Sequence, residues 1–358
     1  MQTLIERSDS FGGVLVDNGR RLEIHRGYQK LDEPNHAGTR YRIFSLTKAV
    51  AAVAVLLLVQ DGRLRLDDPV NEIGKLSTFT NVTARDLLQH RSGVFNAVNF
   101  VFFDRGSDLY STLVPSGCTQ TEVLDTDDLL RVITEHADDD SPTARRNRTA
   151  PRGTFDYNNT GYDLLGHLID VLSDDGVERF LDDRIFHPLD MDASVVPDDP
   201  DAPHHARPFQ TEVEYGILEN QGPTNTNANV ACTLEAYRRF LTGYSKLLTD
   251  PAILATFHDL YFFRNTVDGH RVFFASGSGD FPTTGEYRFL SKSMALFDVN
   301  TRDVLIVAQN YEGPNWPLLH RDFSARRTSL PDAPSLAFDR LVPNLFPGLR
   351  ERFLNFKT

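Results

Sequence analysis

Cysteine is scarce in this chain: there are two in 358 residues, Cys118 and Cys232. Two thiols cannot build a disulfide framework for a protein of this length, and their spacing is not that of a metal site. Membrane-spanning runs are missing too. The apolar run Ala49–Val59 holds eleven residues, against the roughly 20 that a spanning helix needs. Positive charge is in deficit, with 37 Lys and Arg against 50 Asp and Glu, a net charge of -13 and a pI near 5.3. That balance argues against a nucleic acid or an anionic membrane as partner and leaves a small-molecule substrate as the expectation. The first residues, Met1–Arg7, carry no apolar core and no cleavage signature, so no signal peptide is expected and the cytoplasm is the simplest location. No internal repeat or low-complexity tract is present. Eleven histidines give one adjacent pair, His204-His205, in a proline-rich loop, so no metal and no organic cofactor is expected.

What is present is ordinary globular composition, 40% hydrophobic and 24% charged, with length enough for one large core. Gly12–Val16 and Arg21–Arg26 read as a hairpin around Asp17-Asn18-Gly19. Thr83 to His90 reads as a short helix with Thr83 as N-cap and Asp86 at the capping-box position. His90 is expected to satisfy backbone carbonyls at that helix end. Asp127–His136 reads as a helix and Asp138–Arg148 as exposed chain. Further helices are expected over Gly161–Leu172, Gly176–Phe186 and Thr233 to about Leu248. Strands are expected over Arg271–Ser276, Ser293–Val299 and Val304–Asn310, with a helical tail from Ser335 to Phe353. Strands at both ends with helices between predict an α/β (α+β) fold. One antiparallel sheet would be built from both termini, about residues 10–45 and 265–358. A mainly helical subdomain, about 63–250, would be inserted, and the whole chain, 1–358, would form a single domain.

The chain is organised around Phe44-Ser45-Leu46-Thr47-Lys48 and the apolar run that follows. With no Gly or Pro before Gly62, the run predicts a helix buried on all sides. Ser45 then stands at its start, in the positive end of the helix dipole, with Lys48 one turn on along the same face. A lysine beside an apolar wall loses solvation, which favours the neutral amine, and an amine beside a hydroxyl is a general base. The bland alternative is an N-cap serine followed by a surface lysine.

Further motifs shift that balance. Tyr157-Asn158-Asn159 lies downstream of the serine helix. Gly62–Val70, Leu87-Leu88-Gln89-His90-Arg91-Ser92-Gly93 and Pro188-Leu189-Asp190-Met191 follow in a recognisable order. Together with Ser-x-x-Lys, they make the chain resemble the serine beta-lactamase and penicillin-binding-protein-like superfamily. The resemblance is in particular to the branch that holds class C beta-lactamases, D-aminopeptidases and family VIII esterases. The resemblance runs from about Gly12 to about Asn310. It implies the beta-lactamase/transpeptidase-like fold and an acyl-enzyme on Ser45, with Lys48, Tyr157 or the pair as base. It further implies Asn159 as an orienting or substrate-binding residue, and Ser276, Gly277 and Ser278 as the strand lining the site. The oxyanion would sit between the backbone N–H groups of Ser45 and Ser278, donors worth roughly 3–4 kcal/mol each.

One departure stands out. The family's strand motif begins with Lys or His, and the matching position is Ala275. His270 is five residues away and on a regular strand faces the other side. The segment Asp280–Leu290 reads as a long loop, with Arg288 and Lys292 as the candidates to reach back. Without a strand cation, charge-assisted binding of a substrate carboxylate is weakened. The first expectation is therefore an esterase or amidase acting on a small neutral substrate. Alternatives are an acyltransferase using the same acyl-enzyme, a true beta-lactamase or D-aminopeptidase, and a binding protein that lost catalysis with the strand cation.

Overall fold

The structure is a computed structural model. It describes residues 11–30, 32–73, 76, 81–96, 150–195, 205–206, 209–210, 213–214, 229–263, 265–267, 270–283 and 286–311. The expected helices at 127–136 and 335–353 and the exposed stretch 138–148 lie outside them.

Strands β1 (Phe11–Asp17) and β2 (Arg21–Arg26) form the expected hairpin. A two-residue strand, β3 (Tyr41–Arg42), leads into the 3-10 turn Phe44–Leu46 and helix α1 (Thr47–Gln60). Helix α2 (Ala84–Leu88) follows, then α3 (Asn159–Leu172), α4 (Gly176–Leu181), β4 (Ala193–Val195), β5 (Val230–Cys232), α5 (Leu234–Leu247) and α6 (Pro251–His258). The chain returns through β6 (Asn265–Val267), β7 (His270–Thr283), β8 (Glu286–Asp298) and β9 (Val304–Tyr311). Six strands of the main sheet run in the order β6-β7-β8-β9-β1-β2, each antiparallel to its neighbours, so strands from both ends of the sequence meet at β9 and β1. The mixed helix and antiparallel-sheet expectation holds.

Local signals explain the helix ends. Thr83 and Asp86 form a reciprocal capping box. Thr233 caps α5 through Ala236 N–H. Gly62, at φ 73°, takes the left-handed position beyond α1, and Arg63 N–H reaches back to the Leu58 carbonyl. Helix α1 is buried on every side from Thr47 to Leu58. Each large apolar side chain so buried contributes roughly 1.5–3 kcal/mol relative to exposure. This helix is the centre of the core, with α3, α5 and α6 against it. Among the described residues, no helix is long and apolar enough to cross a membrane.

Two expectations are corrected and one helix was missed. Gly176–Phe186 is not one regular helix: α4 widens into a π-helical turn at Asp182–Phe186. Asp280–Leu290 is not a long loop. β7 and β8 continue as a paired ladder to Thr283 and Glu286, with a register shift at Gly279/Asp280. Helix α6 was not anticipated, although Asp250 as N-cap and Pro251 at the first turn are a start signal legible in the sequence.

Candidate active site

Ser45 sits two residues before α1, in the middle of the 3-10 turn, rather than on the helix itself. Four hydrogen bonds fasten the turn to three separate elements. Ile43 N–H donates to the Val230 carbonyl at 2.9 Å, and Ser293 Oγ to the Ile43 carbonyl at 2.6 Å. Tyr237 Oη donates to the Leu46 carbonyl at 3.2 Å, and Val230 N–H to Thr47 Oγ1 at 3.2 Å. Phe44, buried, is held at φ 46°. A bulky residue in the left-handed region costs on the order of 1–3 kcal/mol and persists only where its surroundings over-determine it. These hydrogen bonds do so, and the strain lies immediately before the serine.

Lys48 is fully buried and its Nζ donates to Ser45 Oγ at 3.2 Å. Its Nζ lies over the rings of Tyr157 and Tyr162, at 5.2 and 5.7 Å from their centroids. Burial holds the Tyr162 phenol protonated, well above its ordinary range, and its hydroxyl donates to the Leu88 carbonyl. Tyr157 arrives from a loop more than a hundred positions along the chain, and its Oη donates to the same Ser45 Oγ at 2.9 Å. The structure therefore joins Ser45, Lys48 and Tyr157 in one hydrogen-bonded group.

His90 is what holds that loop. It is buried, and the expected capping of helix carbonyls is not its role. Its Nδ1 accepts from Asn158 N–H at 3.0 Å, and its carbonyl accepts from Asp156 N–H at 2.8 Å, one bond on each side of Tyr157. Its ring lies 4.5 Å from that of Tyr157. Accepting at Nδ1 leaves the proton of the neutral ring on Nε2. Asn158, overlooked in the sequence, caps α3 through Gly161 N–H and donates to the Val94 carbonyl at 2.5 Å. Asn159 is half-buried at the first position of α3, beside this group.

The opposite wall is β7. A Cβ added to Gly277 would stand 2.6 Å from Ser45 N, 2.8 Å from Phe44 Cβ and 2.9 Å from the Ile43 oxygen. The strand backbone thus lies directly against the nucleophile's own peptide, which only glycine permits. Ser276 is exposed on the alternate face, and Ser278 pairs with Lys292 in the ladder. Among the described residues, β6 pairs with β7 at His270–Val272. Ala275 is buried and carries no polar group. Lys292 does not replace it. It stands three residues from Ala295, the ladder partner of Ala275, and therefore on the other face of the sheet. His270 is held at the far end by Asp298, Nδ1 to Oδ2 2.9 Å. Among the described residues, no group of three His, Cys, Asp or Glu stands close enough to hold a metal ion.

Residues 3–290 match the family model described as Beta-lactamase, and the chain belongs to that family. Among curated proteins it is similar to Protein flp of Staphylococcus aureus (strain MW2), 29% identical over 191 residues. It is also similar to Penicillin-binding protein 4* of Bacillus subtilis (strain 168), 25% identical over 206 residues. The matches span 50% and 54% of this chain but only 33% and 40% of those longer relatives. Among solved structures, a penicillin binding protein from Bacillus halodurans superposes with TM-score 0.66 at 19% identity, covering 87% of this chain and 94% of that one. A D-amino acid amidase from Ochrobactrum anthropi SV3 gives 0.60 at 20%, covering 99% and 96%. A class C beta lactamase from Rhodobacter sphaeroides gives 0.60 at 16%, covering 88% and 93%. At these identities the structural likeness establishes the fold.

Proposed function

We propose that this protein is a serine hydrolase that works through an acyl-enzyme on Ser45 and cleaves esters or amides of small neutral substrates. The observation that carries this is the double hydrogen bond to Ser45 Oγ, from Lys48 Nζ and Tyr157 Oη, in a turn too well fastened to move. In the first half-reaction Oγ attacks the substrate carbonyl carbon and its proton passes to the Lys48–Tyr157 pair. The carbonyl electron pair moves onto oxygen, where the backbone N–H groups of Ser45 and Ser278 are the proposed donors. Collapse expels the alcohol or amine, which takes the proton from the pair. Water then attacks the acyl-enzyme with the pair as base, releasing the acid and restoring Ser45.

The neutral-substrate part rests on the β7 wall. Ala275 offers no charge and Lys292 is turned away, so a free carboxylate would gain no ion pair there. Transfer to an alcohol or amine in place of water uses the same intermediate and remains an alternative outcome of product analysis. A purely binding role is disfavoured by the assembled nucleophile group.

The test is intact-mass analysis after treatment with a fluorophosphonate. One adduct on wild type, absent from Ser45→Ala, is expected. A panel of neutral esters, D-amino-acid amides and penicillins should then rank neutral esters and amides first. Folded wild type that takes no adduct and turns over none of the panel would reject the hydrolase reading, and fast penicillin cleavage with feeble esterase activity would reject the substrate class.

A further inference from the structure

The loop that carries Tyr157 is tied to the exit of α2 at three backbone N–H groups. Gly153 N–H donates to the Arg91 carbonyl at 2.8 Å, Asp156 N–H to the His90 carbonyl at 2.8 Å, and Asn158 N–H to His90 Nδ1 at 3.0 Å. Two of these acceptors are carbonyls and do not titrate. The third is an imidazole nitrogen, which accepts only while it carries no proton. His90 is buried, at φ 53° just beyond α2. Its ring packs at 4.5 Å on Tyr157 and 5.8 Å on Phe155 from the loop, and at 5.0 Å on Tyr162 from α3. Tyr261, which opens the turn Tyr261–Phe263 between α6 and β6, meets His90 at 4.6 Å and Tyr157 at 6.0 Å. The titratable groups facing the ring are therefore the three phenols. Charged groups on the elements around it have partners of their own: Lys48 of α1 with Ser45 Oγ, Asp86 of α2 with Thr83 and Arg152, Arg91 with the Gly153 carbonyl, and Asp156 of the loop with Ala150 N–H. Asp259, ahead of the turn, is exposed.

We propose that His90 is a proton-gated positioning residue: its neutral ring holds Tyr157 on Ser45, and a proton at Nδ1 releases it. The proposal rests on the reading of Ser45 as nucleophile. A proton taken up from solvent at Nδ1 turns that acceptor into a donor. It then opposes the Asn158 N–H, donor against donor, and a buried N–H loses its partner. Tyr157 stands between this bond and the Asp156 tie, and its Oη reaches Ser45 Oγ at 2.9 Å. A displacement of about 1 Å breaks a hydrogen bond of that length and costs on the order of 100-fold in rate. No bond of the acylation step involves His90, so the ring gates the nucleophile without sharing its proton. Activity then requires two protons to be absent at once: the second proton of the Lys48–Tyr157 pair, and the proton on His90 Nδ1.

The test is the rate at which a fluorophosphonate labels Ser45, followed from about pH 8 downward through the range in which thermal unfolding shows a folded protein. On the acid side the wild-type rate should come to fall about 100-fold per pH unit, because two protons act. His90→Asn offers an amide oxygen at about the place of Nδ1 and takes up no proton in this range, so its rate should fall only about 10-fold per unit. At about pH 8, His90→Asn should label within roughly 10-fold of wild type, and His90→Leu, which has no acceptor, about 100-fold more slowly. Added to Tyr157→Phe, His90→Leu should cost less than about 3-fold further, because the ring acts through the Tyr157 hydroxyl. A wild-type limb of about 10-fold per unit throughout overturns the proposal, as does a limb equally steep in His90→Asn or a full further loss in the double variant. The wild-type limb decides by itself if a variant does not fold. Wild type that labels on Ser45 at no pH overturns the hydrolase reading instead, so the two failures are distinct.

Discussion

The Ser45 turn and the strand facing it touch across a single glycine, yet they are held in different ways. The turn is anchored through Ile43, Leu46 and Thr47 to three separate elements, and it stores backbone strain at Phe44. β7 is paired along its length with β8, and Ser276 is exposed. On the proposed reading, the first region builds the nucleophile and leaves little freedom in how it is built. The second would meet the substrate, and Ala275 stands on it without a polar group. The proposed chemistry is then locked in the rigid wall, and discrimination among substrates falls to the open one.

The largest expected effect comes from the rigid wall. Ser45→Ala should lower turnover by about 10⁴-fold or more, and Tyr157→Phe by roughly 10²–10⁴-fold. Unchanged turnover in folded Ser45→Ala would remove the turn from the chemistry altogether. Next is the point where the walls meet. Gly277→Ala would set a methyl group against Ser45 N, and a shift of this size should cost about 100-fold in kcat/KM with the fold intact. A variant as active as wild type would mean that β7 is free to retreat, and the contrast drawn here would be wrong.

A smaller effect is expected behind the rigid wall. His90→Ala leaves the buried Asn158 N–H without its ring acceptor and opens a cavity beneath Tyr157. Urea unfolding should detect a loss of about 2–4 kcal/mol. Equal midpoints would show that the Tyr157 loop is held by other contacts.

The smallest lies far from both walls. Burial first, and then Arg271, lowers the His258 pKa to about 4 from 6.5, while the ring bonds Tyr244 Oη and Arg271. A depressed folded value means the unfolded chain takes the proton first. The stability is complete above pH 6.5 and is lost as the pH falls toward 4. The ring is only about half-buried, so after allowance for solvent screening the change is on the order of 1 kcal/mol. Comparing urea midpoints at pH 7.5 and 5 in wild type and His258→Gln checks this: the variant should lose less on acidification.

Much of this was legible in the residues. The composition of Ala49–Val59 dictated a helix buried on all sides. Thr83 and Asp86 announced their capping box, and strand-length alternation near both ends announced one sheet. Ser45, Lys48 and Tyr157 were identifiable as a set because the motif order is carried by the sequence itself. The β7–β8 extension was not legible. Gly, Ser, Asp, Pro and Thr across Ser276–Thr283 have loop composition, and only the partner strand makes them a ladder. His90 was misjudged for a similar reason, since its acceptor role depends on a loop some seventy residues away.

What the sequence determined by itself is therefore what local physics encodes: helix α1, the capped helix starts, the hairpin, and the identity of the candidate nucleophile and its candidate bases. What only the tertiary structure decided is how these are brought together. The positive φ of Phe44, the approach of Gly277 to Ser45 and the placement of Tyr261 against Tyr157 each depend on contacts between segments distant in the chain. No local propensity specifies such contacts, because their energy exists only once the sheet and the helical layer have closed on each other.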